Sequence, residues 1–411
     1  MNFEWFVVKR LLSKRDYKDS ISAPIIKIAI AAVAIGMVVM LVAVATGIGL
    51  QKKIREKVVA FHGHIQISNY DNNQSKISLF PISKQQPFYP DFKTVQSVRH
   101  IQAVANKAGI IRMEDAFEGV VVKGIGSDFD WSQISEYLIA GELPDFSGAL
   151  NEKILISKYL ADRLRLEVGS RISTYFLKDE TDQTPNLRVF EVAGIFDSGF
   201  REFDESYLFA DIRHIQRINK WNADQIGHFE VFIDDFDQLA AIGNQVYQNT
   251  PSTLDTQTVA EAYYAIFEWL SLFDFNIFLV LGIMILVAGI NMITALLVLI
   301  LERTPMIGLF KSLGSTNQSI RRIFLMNATY LIGIGLLIGN LIGLLLIGLQ
   351  AKWGLIKLDP TNYYVDQAPV YLSLTHWLML NLGTLILCFL MMVVPSFIVA
   401  RILPAQSIRF Q

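Results

Sequence analysis

Two potential metal ligands, His62 and His64, lie two residues apart. Side chains at this spacing share one face of a β-strand, so the pair could bind a metal. A zinc site takes three or four protein ligands, however, and no third candidate stands near them in the sequence. Hydrogen-bonded structural histidines are therefore the simpler interpretation. The sequence also contains no GxxxxGKS/T phosphate-binding loop and no GxSxG nucleophile motif, so it predicts neither an enzyme nor a chain that itself binds a cofactor.

The amino-acid composition is that of a membrane protein with a substantial water-soluble part. Of the 411 residues, 52% are hydrophobic and 18% are charged, compared with about 25% charged residues in typical soluble domains. The 36 basic and 38 acidic residues give a net charge of −2, which argues against nucleic acid as a partner. The single cysteine excludes a disulfide-stabilised scaffold.

Four stretches without a charged residue predict four transmembrane helices, at 28–50, 275–301, 323–351 and 376–400. Each stretch is longer than the ~20 apolar residues that cross ~30 Å of hydrocarbon. Residues 51–274 separate the first two helices, whereas 302–322 and 352–375 are short loops. The expected fold is an α-helical membrane protein with a large extracytoplasmic domain inserted between helices 1 and 2.

Basic residues beside these helices predict the orientation of the chain, because Lys and Arg accumulate on the cytoplasmic side. With four crossings, the segments 1–27, 302–322 and 401–411 lie on the same side, and together they contain 12 basic and four acidic residues. Both termini and the 302–322 loop are thus expected in the cytoplasm. Residues 51–274 and the 352–375 loop are then outside.

The inserted domain has the pattern of an α+β fold. Apolar segments predict strands at 64–68, 108–113, 120–124, 172–177, 188–195 and 228–233, and helical patterns occur at 157–164, 212–218 and 236–247. Helical segments at 51–61 and 259–270 are expected to extend the first two transmembrane helices outward as stalks. The segment 69–90, rich in Asn, Ser, Gln and Pro, predicts a mobile loop.

A short amphipathic helix is predicted within the 302–322 loop. Thr304 can cap it and Pro305 suits its first turn, while Gly314 supplies a left-handed terminator. Met306, Phe310 and Leu313 fall on one face, which Ile307 and Leu309 widen. Such a helix either lies in the membrane interface or inserts into a groove of a cytosolic partner, and both interpretations need the same apolar face.

Small and polar residues mark two further features of the transmembrane helices. Gly335, Gly339 and Gly343 recur every fourth residue, a spacing that lets helix backbones approach closely in lipid. Asn276 and Asn291 are polar residues in an apolar helix. They serve either structural hydrogen bonding or the lining of a cargo cavity.

Several motifs resemble a known family. Residues 291–327, NMITALLVLILERTPMIGLFKSLGSTNQSIRRIFLMN, are similar to the signature of the MacB/FtsX-type ABC permeases. Residues 6–15 (FVVKRLLSKR), 61–65 (FHGHI) and 151–211 resemble the lipoprotein-releasing LolC/LolE group within them. The resemblance implies a bacterial inner-membrane permease that releases lipoprotein cargo to a soluble periplasmic carrier.

The resemblance also implies partners and site residues. A separate cytosolic ABC ATPase dimer would supply ATP hydrolysis, and a second permease subunit, a paralogue or a second copy, would complete the transporter. The loop that corresponds to the family's carrier-binding hook contains Lys178, Asp179, Glu180 and Pro185 and is short and acidic. The residues implied for the ATPase-coupling helix are Glu302, Thr304, Pro305, Met306, Ile307, Leu309, Phe310, Lys311, Leu313 and Gly314.

Two alternative functions remain open within this resemblance. A MacB-like exporter would move periplasmic peptides or amphiphiles through an outer-membrane duct. An FtsX-like regulator would activate a cell-wall hydrolase and transport nothing. The 224 residues of the insert exceed the ~100 expected of a single compact regulatory domain, which favours a transporter.

Overall fold

The computed structural model describes residues 3–11, 22–72, 75–113, 116–177 and 185–401. The chain forms two compact units. The helical unit comprises Met1–Gln51, Leu270–Lys357 and Gln367–Gln411, and the sheet unit comprises Lys52–Trp269 and Leu358–Asp366. The predicted α+β domain between the first and second apolar helices is therefore present.

The described residues form fourteen α-helices and twelve β-strands. The helices are α1 (Phe3–Leu11), α2 (Ser22–His62), α3 (Ser132–Ser135), α4 (Lys158–Leu164), α5 (Arg201–Asp204), α6 (Ile212–Ile218), α7 (Leu239–Gln248), α8 (Val259–Ala262), α9 (Tyr264–Glu302), α10 (Thr304–Ser312), α11 (Asn317–Trp353), α12 (Pro360–Tyr363), α13 (Leu374–Ser396) and α14 (Ile398–Arg401). The strands are β1 (Ile65–Asn69), β2 (Ile82–Ser83), β3 (Val98–Arg112), β4 (Phe117–Ile125), β5 (Leu138–Gly141), β6 (Lys153–Ser157), β7 (Arg171–Phe176), β8 (Asn186–Phe196), β9 (Tyr207–Asp211), β10 (Gln225–Ile226), β11 (His228–Ile233) and β12 (Leu254–Thr258).

Four of the described helices, α2, α9, α11 and α13, are long and apolar enough to cross a membrane. The chain is thus a multi-pass membrane protein. At 1.5 Å per residue, the 41 residues of α2 measure about 62 Å and the 39 residues of α9 about 58 Å. Both exceed ~30 Å of hydrocarbon by a wide margin, so each continues well beyond its membrane-spanning part.

The largest apolar cluster among the described residues of the helical unit receives side chains from all four long helices. Met37 from α2, Met292 from α9, Phe324 from α11 and Met392 from α13 are fully buried in it. Ile307 from the short helix α10 joins the same cluster. The short helix α10 is therefore packed into the same core as the long helices.

The sheet unit is built on a ten-stranded mixed sheet. Its strand order is β12-β1-β11-β3-β4-β9-β6-β8-β5, with β7 paired to both β3 and β8. The pairs β4–β9 and β6–β8 are parallel and the remaining pairs are antiparallel. Every residue of β9 and β11 is buried, as expected of central strands covered on both faces.

The described residues of the segment 69–90, which the sequence predicts as a mobile loop, make specific contacts with the sheet unit. Its described residues include β2, which pairs with β10, and the Asn72 side chain accepts hydrogen bonds from the amides of Leu79 and Phe80. The Phe88 ring is buried against Phe229 at a centroid distance of 5.3 Å. Apolar burial therefore holds 75–90 against the sheet, although the local composition is that of a loop.

Candidate functional site

The helix α10 begins and ends close to the predicted positions, but its first turn is built differently. Thr304 does not cap it, because its hydroxyl donates back to the carbonyls of Ile300 at 3.2 Å and Leu301 at 2.7 Å, the last turn of α9. Arg303 occupies the N-cap position without a side-chain hydrogen bond. Gly314, with φ of +91°, ends the turn that follows α10. Only one residue separates α9 from α10, so no extended cap residue can form there.

The apolar side chains of α10 divide between two faces, which differs from the single predicted face. Ile307 is fully buried, and Met306 and Phe310 pack against the core of the helical unit. Leu309 and Leu313 point away, with 56% and 75% of their surface exposed. The inward face fixes α10, and the outward face presents two leucines. Sequence periodicity could not separate these faces, because apolar residues occupy both.

Lys311 fixes the end of α10 to a neighbouring short helix. Its ammonium donates to the Val399 carbonyl of α14 at 2.8 Å. Nearby, the Arg321 side chain donates to the Ser396 hydroxyl at 3.3 Å, and its guanidinium lies 3.7 Å from the centroid of the Phe397 ring. Polar contacts thus connect α10 and the start of α11 to the end of α13.

The three predicted packing glycines lie along a close contact between α11 and α2. A Cβ at Gly335 would stand 2.8 Å from the Val33 side chain, and one at Gly339 would stand 2.7 Å from the Ala34 carbonyl oxygen. A Cβ at Gly343 would stand 2.8 Å from Leu41 Cδ1. All three distances are shorter than normal van der Waals contacts, so a side chain at Gly335 or Gly339 would require movement of α2, whereas at Gly343 the end of the Leu41 side chain could move instead.

The two asparagines proposed for a cargo cavity are not brought together. Asn276 is exposed and Asn291 is half-buried on the same helix, α9. Fifteen residues of helix separate them by about 22 Å, so they do not line one small cavity.

A different pair of membrane asparagines does form an interhelical contact, and the sequence analysis missed it. The Asn340 amide of α11 donates to Asn381 Oδ1 of α13 at 2.6 Å, and the Asn381 amide donates back at 3.1 Å. Trp377 also donates to Asn340 Oδ1 at 2.6 Å. The signal in the sequence was an Asn within the apolar stretch of each of these two helices, since two amides that face each other satisfy both in lipid.

The C-terminal end of α2 is anchored in the sheet unit by a buried ion pair. Lys123 and Glu230 are each only 1% exposed and lie 2.7 Å apart. The Lys123 ammonium also donates to the Phe61 carbonyl at 2.5 Å, in the last turn of α2. Burial alone would raise the pKa of Glu230, but the adjacent ammonium holds this pKa below its usual value. A positive charge at a helix C-terminus is favourable, because unpaired carbonyls accumulate there.

The Phe61 ring adds an apolar anchor at the same point. It stacks on Phe203 at a centroid distance of 4.7 Å and contacts Phe196 at 5.6 Å and Phe209 at 5.9 Å. In the middle of α2, hydrogen bonds connect this helix to α9. The buried Gln51 amide donates to the Leu270 carbonyl at 3.0 Å and to Asp274 at 2.9 Å. These hydrogen bonds connect the two stalk helices at the point where each leaves its apolar, membrane-spanning part.

The connection between α11 and α13 also contributes to the sheet unit, which the sequence gave no sign of. Tyr364, in the left-handed region at φ +59°, stacks on Phe200 with ring centroids 4.6 Å apart. Its carbonyl accepts a hydrogen bond from Lys57 of α2 at 3.0 Å, and its ring meets Trp269 of α9 edge-on at 5.8 Å. Residues 358–366, called the clamp segment below, thus touch both stalk helices and the domain.

The predicted carrier-docking loop falls mainly outside the described residues. Lys178, Asp179 and Glu180 belong to 178–184, which the structure does not describe. Pro185 is described, and it lines an open apolar pocket of about 640 Å³ with Ile110 and Phe117 among other residues. This pocket lies where the hairpins β3–β4 and β7–β8 turn.

His62 and His64 take structural positions. The ring of His64 accepts a hydrogen bond at Nδ1 from the Ile233 amide at 3.3 Å, and burial lowers the pKa of His64 to about 4. His62 packs edge-on against Tyr263 at 5.1 Å. Among the described residues, no three His, Cys, Asp or Glu side chains are grouped so that they could hold a metal ion.

Comparisons with known proteins give two family matches. Residues 28–262 match the family described as MacB-like periplasmic core domain, and residues 278–404 match the family described as FtsX-like permease C-terminal. The lipoprotein-releasing system transmembrane protein LolC of Xylella fastidiosa (strain Temecula1) is 21% identical over 400 residues, covering 92% of each chain. LolE of Haemophilus influenzae is 21% identical over 423 residues, covering 99% of each chain. The crystal structure of the periplasmic region of MacB from Actinobacillus actinomycetemcomitans covers 51% of this chain and 95% of its own, with a TM-score of 0.33 and 12% identity.

Proposed function

The chain belongs to the MacB-like periplasmic core domain family and continues into an FtsX-like permease region, and we propose that this ABC transporter permease releases lipoproteins from a bacterial inner membrane. The choice of cargo rests on relatives named as lipoprotein-releasing proteins that align with nearly the whole chain. A cytosolic ATPase dimer provides the energy, and a soluble periplasmic carrier receives the lipoprotein. A second permease subunit, a paralogue or another copy, completes the assembly.

The observation that carries this mechanism is the divided surface of α10. Ile307 is buried in the core shared by the four long helices, whereas Leu309 and Leu313 are exposed one turn apart. An exposed apolar pair on a fixed helix is suited to a groove on a partner, because the contact buries apolar surface without reordering the helix. The ATPase therefore binds Leu309 and Leu313, and its movement is transferred through Ile307.

Two structural routes then carry that movement outward. The first is α2, which packs on α11 through the three glycines and ends at the buried Lys123–Glu230 pair. The second is the clamp segment, which joins α11 to α13 along the chain and stacks Tyr364 on Phe200. With both routes attached to it, the sheet unit responds to displacement of the long helices and expels cargo held beside them.

Transfer to the carrier takes place at the open ends of the two hairpins. The pocket beside Pro185 is lined mainly by apolar side chains, and two of its lining residues, Leu177 and Pro185, flank in the sequence the acidic loop that contains Lys178, Asp179 and Glu180. A carrier for acylated proteins must accept an acyl chain from the permease, and an apolar surface beside the docking loop suits this step. Phe117 is the most prominent exposed ring at this pocket.

The test compares two exposed leucines, one within α10 and one directly after it, with an exposed leucine elsewhere in the helical unit. The permease variants Leu309→Asp and Leu313→Asp are co-expressed with the ATPase, purified, and assayed for ATPase retention and for lipoprotein release to carrier from proteoliposomes. Leu355→Asp is the matched control, because Leu355 is 64% exposed and follows the other end of α11. We expect both α10 variants to lose the ATPase and release, while the control keeps both. Retention of both by the α10 variants would refute the proposed contact.

A MacB-like exporter is the second candidate, favoured by the family match over residues 28–262. It would use the same α10 contact but would depend on an outer-membrane duct and not on a soluble carrier. Mass spectrometry of proteins that co-purify in mild detergent separates the two functions. An FtsX-like regulator would bind a cell-wall hydrolase and would trap no acylated protein in photocross-linking from α2 or α9.

A further inference from the structure

A polar cavity of about 200 Å³ lies inside the sheet unit, where both stalk helices reach the domain. His62 from the end of α2 and Tyr263 from the junction of α8 and α9 form part of its wall. Asn106 of β3, Tyr207 of β9 and His228 of β11 complete the wall from the sheet. The cavity would hold about six water molecules, at ~30 Å³ each, or one compact organic molecule.

Three buried polar atoms at this cavity have no hydrogen-bond partner among the residues that the structure describes. They are His62 Nδ1, Asn106 Oδ1 and His228 Nε2. Asn106 is 7% exposed and His228 is 5% exposed, so bulk solvent does not satisfy them. His228 Nε2 lies 3.6 Å from Glu230 Oε1, which is within ion-pair distance but longer than a normal hydrogen bond. Buried polar groups are nearly always bonded, so these three atoms can form hydrogen bonds with a polar molecule that enters the cavity.

The charged groups around the cavity are already paired. Lys76 and Glu202 form an ion pair of 2.8 Å, and Glu261 accepts hydrogen bonds from Thr258 in a helix cap. Glu230 is paired with Lys123. A charged ligand would therefore find no uncompensated opposite charge, and a neutral ligand fits the site better.

The groups that remain available favour hydroxyl groups on the ligand. An amide oxygen only accepts, whereas an imidazole nitrogen donates or accepts according to its tautomer, and a hydroxyl group matches either. Tyr207 and Tyr263 also line the cavity, and aromatic side chains pack well against the C–H groups of a ring. Aromatic faces combined with amide and imidazole groups are the surroundings that a small cyclic polyol needs.

We propose that this cavity binds a small, neutral, polyhydroxylated ring molecule of monosaccharide size through His62, Asn106 and His228. The inference goes beyond lipoprotein release and does not depend on it. Because His62 ends α2 and Tyr263 immediately precedes α9, the bound molecule bridges the two stalk helices where they enter the domain. Its occupancy restrains their relative movement.

The first experiment uses the full-length protein in lipid nanodiscs and saturation-transfer NMR. The probes are D-glucose and myo-inositol, with 1,4-dioxane as a ring that has oxygen atoms but no hydroxyl group. We expect saturable binding of at least one polyol, with a Kd of ~10 mM or tighter for a ligand of this size, and no saturable binding of dioxane. Absence of saturable binding for both polyols, or equal binding of dioxane, would overturn the proposal.

Two variants of the same helix locate the binding. Ala262 lines the cavity and Ala260 does not, and both are half-buried in α8. We expect Ala262→Leu to weaken polyol binding at least tenfold and Ala260→Leu to leave it unchanged, with circular dichroism melts to confirm folding. Equal binding by the two folded variants would contradict the site. If Ala262→Leu does not fold, a high-resolution map of the wild type with the polyol decides, and density for water alone would overturn the proposal.

A methyl glycoside of glucose distinguishes the sources of such a ligand. Binding as tight as that of glucose indicates that the site accepts a sugar attached to a larger molecule. Loss of binding, while glucose itself binds, indicates a free sugar enclosed by the cavity. Both results support the polyol site.

Discussion

The contact between α2 and α11 gives the sharpest quantitative prediction, which compares Gly→Ala changes along one helix. An added Cβ at Gly339 would stand 2.7 Å from the Ala34 carbonyl oxygen and 2.7 Å from Met37 Cβ. Both atoms belong to or adjoin the backbone of α2, so neither rotates away, and overpacking of this kind costs about 1–3 kcal/mol. Gly348 lies on the same helix with no neighbour within 4 Å of an added Cβ.

The control is therefore expected to change stability in the opposite direction. Gly348→Ala gains helix propensity of up to about 1 kcal/mol and meets no obstacle. Both variants gain the same helix propensity and only Gly339→Ala overpacks, so their free energies of unfolding should differ by about 1–3 kcal/mol. Gly343→Ala should fall between them, because its nearest obstacle is the movable Leu41 Cδ1 at 2.8 Å.

The measurement is reversible unfolding of each purified variant in mixed micelles, titrated with SDS and followed by circular dichroism. Lipoprotein release is assayed in parallel, because a wedge between α2 and α11 should also impair the first route of movement. Equal free energies of unfolding for Gly339→Ala and Gly348→Ala would show that the two helices do not approach so closely, and the proposed route through α2 would lose its basis.

Three further predictions concern the sheet unit. Glu230→Gln leaves Lys123 buried without a counter-charge and should lower the free energy of unfolding by about 3–5 kcal/mol; chemical denaturation measures this, and a loss below 1 kcal/mol would contradict a buried pair. Tyr364→Ala removes the ring stacked on Phe200, a contact worth about 0.5–1.5 kcal/mol beyond the buried area. This variant should release lipoprotein more slowly while the ATPase remains bound. An unchanged release rate would exclude the clamp segment from the mechanism. His64 has a pKa of about 4 when folded and 6.5 as its ordinary value, so the unfolded state takes up the proton first and stability falls as pH decreases from 6.5 to 4. His64→Asn keeps an acceptor for the Ile233 amide and should reduce this slope by up to about 1.4 kcal/mol per pH unit, while His62 and His214, whose pKa values burial also lowers, keep their share. Denaturation curves recorded across that range measure the slope, and the same slope in both proteins would assign the effect elsewhere.

Elements with a strong local pattern were predictable from the sequence. The four charge-free stretches correspond to α2, α9, α11 and α13, and the predicted ranges 212–218 and 228–233 coincide with α6 and β11. In each case apolar periodicity or a long apolar run determines the structure without help from distant residues. The resemblance of 291–327 to the permease signature is likewise supported by the family match over 278–404.

The remaining features depend on contacts that no local pattern reveals. The first half of β3 was missed because it contains polar residues such as Gln102, which is buried only because Glu230 accepts its hydrogen bond at 2.8 Å. The clamp segment has no helix or strand signal of its own, and its position follows from the stacking of Tyr364. Apolar residues occupy both faces of α10, and the faces differ only in whether another helix packs against them. The sequence alone therefore could not assign Ile307 to the buried face and Leu309 to the exposed face.

The continuity of α2 sets how far one of its ends moves when the other end rotates. An uninterrupted helix of 41 residues and about 62 Å acts as a stiff rod, and a rotation of only 5° about one end displaces the other by about 5 Å. That displacement equals one helical turn, enough to separate rings that now touch at van der Waals distance. A hinge in α2, for example from a Pro introduced near residue 48, would absorb such a rotation before it reached Phe61, whatever the strength of the contacts at either end.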